Sequence, residues 1–381
     1  MNPPLPKKIL IVSGEPSGDL HASNLVKDLK SLKPNLQFFG LGGRLSREAG
    51  VDISFDIAKL ALVGLIEVWK NIFTIGKAYK ALLKKIDDEK PRLAILVDYP
   101  GFNLRLSKEL KARSIPVIYY ISPQIWAWGK DRIAIIKRCV TKMVVFFKFE
   151  EELYSTYGVE AEFVGHPLLD VVKTDMEKGA VLSKYRLSGN KTTIALLPGS
   201  RTMEVEVLLP IMAGACKAMN ERTGKFQFVV AKHPDLPMSL YEDAAKDYGL
   251  DIRIVDGDTY NILGAADFAV VASGTATLET AIIGTPFVIT YKANLLTFLL
   301  YKFVARIKHV GLVNIIANRE IVPEFIQFDA APEKIAGAAL EYLNDKEKIS
   351  GMVNDLKDVG LSLGAPGAHM RAARAILQFL E

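Results

Sequence analysis

Residues 8–19 read KILIVSGEPSGD, and residues 192–206 read TTIALLPGSRTMEVE. Each is a short apolar run, then a turn containing glycine and a small hydroxyl side chain, then a helical pattern. Strands apolar on both faces belong in parallel sheets covered by helices on both sides. Outward from the first stretch, strand-like runs at Lys8–Ser13, Gln37–Leu41, Leu93–Val97, Val117–Ile121, Lys142–Phe147 and Glu162–Val164 are separated mostly by helical segments, such as Leu20–Leu32 and Leu104–Ala112. The pattern restarts after a polar stretch, with Thr192–Leu197, Phe226–Ala231, Ile252–Val255, Phe268–Ala272 and Pro286–Thr290. Repeated βαβ units predict an α/β protein of two doubly wound, Rossmann-like domains facing a cleft. The expected domains are residues 1–170 and 171–355, followed by a helical segment, 356–381, with apolar positions at helical spacing from Gly367 to Phe379.

The length of 381 residues suits two domains, and 50% apolar with 24% charged residues suits large cores rather than disorder. Two cysteines far apart, Cys139 and Cys216, fit a reducing compartment better than a disulfide scaffold. Met1–Lys8 contains no apolar signal core, so export is not expected. The net charge of +5 is a mild excess, and no nucleic-acid partner is expected. No run reaches the roughly 18 uncharged apolar residues that span a bilayer.

Ligands of open α/β sheets sit at the carboxyl ends of the strands, so the loops there carry the candidate chemistry. Gly14, Glu15, Ser17, Gly18 and Asp19 form a first such loop, matching neither the dinucleotide fingerprint nor the P-loop. Its alternative is a plain turn capped by Ser17 or Asp19. Asp98 follows a strand and is placed to take a proton from an attacking hydroxyl, or else to cap the helix near Leu104. Trp126 and Trp128 sit in a loop after a strand, where core filling is the usual role. His166 reads as a structural histidine. In the second half, Gly199, Ser200 and Arg201 precede a helix, where an arginine and free N–H groups suit phosphate. Ser273, Gly274, Thr275 and Glu279 repeat that plan, with hydroxyls for a diphosphate and a carboxylate for ribose hydroxyls. Asp256-Gly257-Asp258 matches a metal-holding D-x-D pattern but reads better as a turn capping a helix at Tyr260–Ala265. No His/Cys cluster points to zinc, and neither metal nor cofactor is expected.

Leu62, Leu65, Ile66, Trp69, Ile72 and Phe73, continuing through Tyr79, Leu83 and Ile86, fall at helical spacing among Lys70, Lys77, Lys80, Lys84 and Lys85. Apolar, aromatic and basic residues in that mixture fit an interfacial helix, with a core helix bearing solvated lysines as the alternative. Leu295–Ile307 is a second such stretch, apolar almost all round.

Taken in order, these motifs resemble the lipid-A-disaccharide synthase family across nearly the whole chain. The resemblance runs through Ser13–Asp19, Gly40–Gly43, Asp98–Asn103, Tyr120–Trp128, Phe163–Pro167, Leu196–Glu206 and Ser273–Glu279, and continues to Asn314 and Pro323–Gln327. It implies a GT-B fold whose final helix crosses back onto the N-terminal domain. It also implies an inverting transfer from UDP-2,3-diacylglucosamine to 2,3-diacylglucosamine 1-phosphate, giving a β-1,6-linked disaccharide and UDP. Asp98 matches the family's candidate base. Gly199, Ser200, Arg201, Ser273, Gly274, Thr275 and Glu279 match positions around UDP. Gly14, Glu15, Ser17, Asp19, Asn103, Asn314, Glu324 and Gln327 are assigned to acceptor or donor sugar. Gly101 departs from the pattern, since many members carry a second acidic residue there. Tyr99 replaces a smaller residue. The resemblance further implies a cytoplasmic protein, peripheral on the inner membrane of a Gram-negative-type bacterium, with Leu62–Phe73 facing lipid; a homodimer is left open. Rival readings are a UDP-N-acetylglucosamine 2-epimerase, the glycosyltransferase acting on lipid I, and a non-catalytic two-domain binder.

Overall fold

The computed structural model describes residues 7–56, 65–127, 129, 131–293 and 308–380, with 65–74 as backbone alone. The chain forms two compact units, Met1–Pro167 with Gly364–Glu381, and Leu168–Leu363.

The first unit is built on seven parallel strands, β1 (Lys8–Ser13), β2 (Gln37–Gly42), β3 (Val51–Asp56), β4 (Leu93–Val97), β5 (Val117–Tyr120), β6 (Lys142–Val145) and β7 (Ala161–Phe163). Their spatial order is β3-β2-β1-β4-β5-β6-β7. In β1, alternate side chains enter opposite cores. Ile9 and Ile11 pack with Leu25 and Leu29 of helix Pro16–Leu32, and with Ala372, Ala373 and Ile376 of the terminal helix Ala368–Leu377. Leu10 and Val12 pack with Leu82, Ile86, Leu106 and Leu110 on the other face. Alanines on the terminal helix allow close approach to helix Pro16–Leu32. The polar ties are Tyr120 Oη to His369 Nδ1 at 2.7 Å and Arg371 Nε donating to the Val164 carbonyl at 2.8 Å. Residues 356–363, grouped by sequence with the terminal segment, instead complete helix Lys346–Ser362 and its end in the second unit.

The second unit carries β8 (Thr192–Leu197), β9 (Phe226–Lys232), β10 (Ile252–Asp256), β11 (Phe268–Ala272), β12 (Phe287–Tyr291) and β13 (Glu324–Ile326), in the order β10-β9-β8-β11-β12-β13. All pairings are parallel. Both sheets therefore have the doubly wound arrangement. Two edge strands escape the sequence reading for one reason. β3 and β13 are half-exposed, so they lack the continuous apolar run that marks a central strand. Helices Pro16–Leu32 and Pro100–Ala112 begin earlier than their apolar periodicity, because a proline in the first turn has its φ preset and needs no N–H partner.

In helix Leu65–Glu89, Ala78, Leu82 and Ile86 are buried and Tyr79 and Leu83 pack on the same core, while Lys77, Lys80 and Lys84 are exposed. From Ile75 onward this stretch is thus a core helix with solvated lysines. Leu62, residues 294–307 and the side chains of Leu65, Ile66, Trp69, Ile72 and Phe73 lie outside what the structure describes. Among the described residues, no helix is long and apolar enough to cross a membrane.

Asp19 caps no helix of its own. It is 4% exposed, and its carboxylate accepts from the backbone N–H groups of Gly43 at 2.8 Å, Leu45 at 3.0 Å and Ser46 at 3.2 Å. It therefore satisfies the start of helix Arg44–Glu48 and ties the β2 loop to helix Pro16–Leu32. Asp19→Ala strands these donors and should cost about 3 kcal/mol, read as a lowered denaturation midpoint of the first unit. An unchanged midpoint would contradict this role.

Candidate active site

A doubly wound sheet opens a crevice where adjacent strands send their connections to opposite faces. In the first unit that point lies between β1 and β4, whose registers match from Ile9↔Leu93 to Ser13↔Val97. Gly14 and Glu15 leave one strand there, and Asp98 and Tyr99 leave the other.

Asp98 and Tyr99 have φ of 45° and 46°. Such left-handed conformations cost a non-glycine residue about 1–3 kcal/mol each, so the surroundings must hold them. The Asp98 N–H donates to the Tyr120 carbonyl at 3.0 Å. The Asp98 carbonyl accepts from Tyr119 Oη at 2.6 Å and from Asn103 Nδ2 at 2.7 Å, and Asn103 also donates to the Val97 carbonyl at 3.1 Å. The Tyr99 ring covers Gly14 so closely that a Cβ there would lie 2.1 Å from it. The alternative capping role does not hold for Asp98: the helix begins at Pro100 behind Tyr99 and has no side-chain cap. Burial, with Glu15 adding to it and the Tyr99 N–H opposing, pushes the Asp98 carboxyl up to about 6. Glu15 is exposed at the start of the first helix. A second carboxylate thus acts on Asp98, from the β1 loop rather than from position 101.

Of the other residues read from sequence in this unit, Ser17 is exposed on the first helical turn, and Asn103 is fully buried, positioning Asp98. Asp19 is committed to the Gly43 loop. Sequence reasoning passed over Tyr119, an apolar-looking member of β5 whose hydroxyl reaches the Asp98 backbone.

In the second unit the corresponding point lies between β8 and β11. A cavity of about 390 Å³ opens there, lined by Gly199, Ser200, Arg201, Ser273, Gly274, Thr275 and Glu279 together with Glu204, His233 and Thr259. Gly199 and Gly274 have φ of 117° and 145°, which glycine alone adopts readily. The Glu204 carboxylate accepts from the Ser200 N–H at 3.1 Å and pairs with Arg201 at 3.3 Å, while Arg201 stays 74% exposed. Neither Ser200 nor Ser273 caps a helix; Ser273 Oγ donates to the Val310 carbonyl at 3.3 Å. Burial raises Glu279 above the usual carboxylate range, opposed by the Tyr260 hydroxyl donating at 3.1 Å and by His233. His233 and Thr259 were missed by sequence, although His233 directly follows β9 and the strand-end rule pointed to it.

The D-x-D carboxylates are both engaged. Asp256 pairs with Lys232 at 3.0 Å, and Asp258 with Lys184 at 2.8 Å and with Tyr185 and Asn261. Asp258 stands before helix Thr259–Ala265, as the turn reading expects, but its side chain makes no capping bond. Among the described residues, no His, Cys, Asp and Glu group could hold a metal.

The late motif forms scaffolding. Buried Asn314 accepts from the Ile321 and Val322 N–H groups and donates to the Val322 carbonyl and to Glu324. Glu324 accepts from the Val310 and Gly311 N–H groups, and Gln327 exchanges two bonds with the Ala293 backbone.

A family model described as lipid-A-disaccharide synthetase matches residues 9–374. The lipid-A-disaccharide synthase of Syntrophus aciditrophicus is 43% identical, covering 98% of both chains. That of Trichlorobacter lovleyi is 39% identical, covering 99% of this chain and 98% of its own. Among solved structures, a putative UDP-N-acetylglucosamine 2-epimerase from Listeria monocytogenes superposes with a TM-score of 0.64 at 14% identity, covering 99% of this chain and 97% of its own. The glycotransferase of kitacinnamycin gives 0.61 at 14%, covering 99% and 100%. These distant likenesses speak for the fold alone. The family model and the two synthases reach from end to end of the architecture just described, and the chain belongs to the lipid-A-disaccharide synthase family of glycosyltransferases.

Proposed function

We propose that the protein transfers 2,3-diacylglucosamine from UDP to the 6-hydroxyl of 2,3-diacylglucosamine 1-phosphate with inversion, releasing UDP. The observation that carries this reading is the second unit's cavity, where both glycine-bearing loops, Arg201 and Glu279 converge at the switch point of one sheet. Backbone N–H groups at two helix starts and a guanidinium suit a diphosphate whose charge grows as the sugar departs. Glu279, partly buried, suits the ribose hydroxyls. In this reading the first unit supplies the base. A carboxylate near 6 is ionised at neutral pH, yet more basic than an ordinary aspartate, which is what proton abstraction from a hydroxyl calls for. Arg201 provides the charge stabilisation of the leaving group, and the reading needs no metal or cofactor.

Both substrates carry acyl chains, so the proposal extends to work at the cytoplasmic surface of the inner membrane. The exposed Lys77, Lys80 and Lys84 support it, since each cation near anionic lipid contributes about 1 kcal/mol.

The deciding assay combines purified protein with both diacylated substrates and detects disaccharide by mass; absence of product would reject the reading. Asp98→Asn should lower kcat on the order of 10²–10⁴-fold while leaving UDP affinity unchanged. The wild-type rate should fall as pH drops through about 6, because Asp98 must be ionised to act. Removing the neighbouring negative charge with Glu15→Gln makes Asp98 ionise more easily, so its acid limb should move to lower pH. A limb that stays in place would remove Glu15 from this role. Arg201→Ala should cost about 2–4 kcal/mol in kcat/KM for the donor, and unaltered donor kinetics would place Arg201 outside the site.

A further inference from the structure

Trp126, Phe149, Phe147 and His166 form a line of rings along the carboxyl edge of the first sheet, on the segments that follow β5, β6 and β7. Successive centroids are 5.7, 5.5 and 5.1 Å apart. Each residue is partly exposed, and neither of the two cores flanking the sheet includes any of them. His166 also meets the buried core ring of Phe146, 5.5 Å away, while the other three rings lie beside those cores and stay partly open.

One buried carboxyl fixes it. Glu150 is 3% exposed and accepts from Trp126 Nε1 at 3.1 Å. It also accepts from the Phe147 N–H at the start of helix Lys148–Thr156, the reach of a capping-box glutamate. Phe147 and Phe149 are thereby held by the helix start and Trp126 by its indole. Burying a carboxyl without a cation is costly. Here burial pushes Glu150 up to about 8, against the bonds it receives from Trp126, Ser122 and the Phe147 N–H. Glu150 thus spends its bonds on holding the segments that carry the rings.

The geometry points to an alkyl ligand rather than a sugar face. The rings follow one another in three steps, edge to face at 78° from Trp126 to Phe149, stacked at 19° from Phe149 to Phe147, and tilted at 41° from Phe147 to His166. These steps make an apolar strip longer than one sugar ring is wide, which suits an extended alkyl chain. We propose that the strip Trp126–Phe149–Phe147–His166 binds a fatty acyl chain of an acylated sugar substrate. The inference rests on the reaction proposed above and adds where its apolar part lies.

The wild-type protein is incubated with 2,3-diacylglucosamine 1-phosphate bearing a photoreactive diazirine at the end of one acyl chain, illuminated, and mapped by peptide mass. Labelling of one or more of the four ring residues is expected, and labelling confined to other segments would overturn the proposal. In parallel, kcat/KM is compared for acceptors with long and short acyl chains. The wild type should prefer the long chain, and Phe149→Ser should reduce that preference about tenfold, while Phe149→Leu, which stays apolar, retains most of it. No preference in the wild type, or an undiminished one in Phe149→Ser, would count against an acyl site. Should the serine variant fail to fold, the labelling result on the unaltered protein decides. If the wild type forms no disaccharide from the probe or the plain acceptor, it is the proposed reaction that fails. If disaccharide forms and the label lies elsewhere, only the acyl strip does.

Discussion

Right-handed crossovers place the connections of a parallel sheet on one face while strands are added in one direction, and on the other face when the direction reverses. Both sheets grow outward from their first strand and then reverse, at β1/β4 and at β8/β11. The reversal separates two neighbouring helix starts and leaves a crevice between them. Every residue assigned here to the central chemistry stands at one of those two crevices: Asp98 with Glu15 at the first, and Arg201, Ser273 and Glu279 at the second. The chain order of the strands, rather than any single motif, puts them there.

That origin explains what could be read without coordinates. Central strands such as Leu93–Val97 and Phe268–Ala272 are buried on both faces, so their apolar runs are continuous and the loops after them are easy to find. All seven residues predicted around UDP therefore line one cavity. Val51–Asp56 and Glu324–Ile326 lie at sheet edges, with half-exposed side chains, and resemble ordinary polar chain. Tyr119 and Glu150 were illegible for a different reason. A tyrosine in a strand and a glutamate in a first helical turn are unremarkable by type, and only tertiary contact shows one holding the Asp98 carbonyl and the other accepting from the Trp126 indole.

A motif can also be carried by residues that hold the backbone. Asp19, Asn314, Glu324 and Gln327 belong to the stretches that carry the family resemblance, yet all four spend their polar atoms on backbone groups or on each other. Asn314 uses both ends of its amide, and Gln327 holds a left-handed φ of 58° while bonding Ala293 on both sides. Loops that cannot form regular ladders need such side chains to satisfy their N–H and carbonyl groups. These four side chains answer to that backbone accounting, and any contact with a sugar would come in addition to it.

Gly101, where the resemblance expects an acidic residue, bears on the same distinction. A Cβ at Gly101 would meet nothing within 4 Å, so packing does not demand glycine there. A carboxylate near Asp98 resists its ionisation. Glu15 exerts an effect of that sign from the β1 loop, and burial contributes more. Burial in turn depends on the strained Asp98–Tyr99 turn, which lays the Tyr99 ring over Gly14. Burial thus raises the Asp98 carboxyl first and the neighbouring Glu15 carboxylate adds to it.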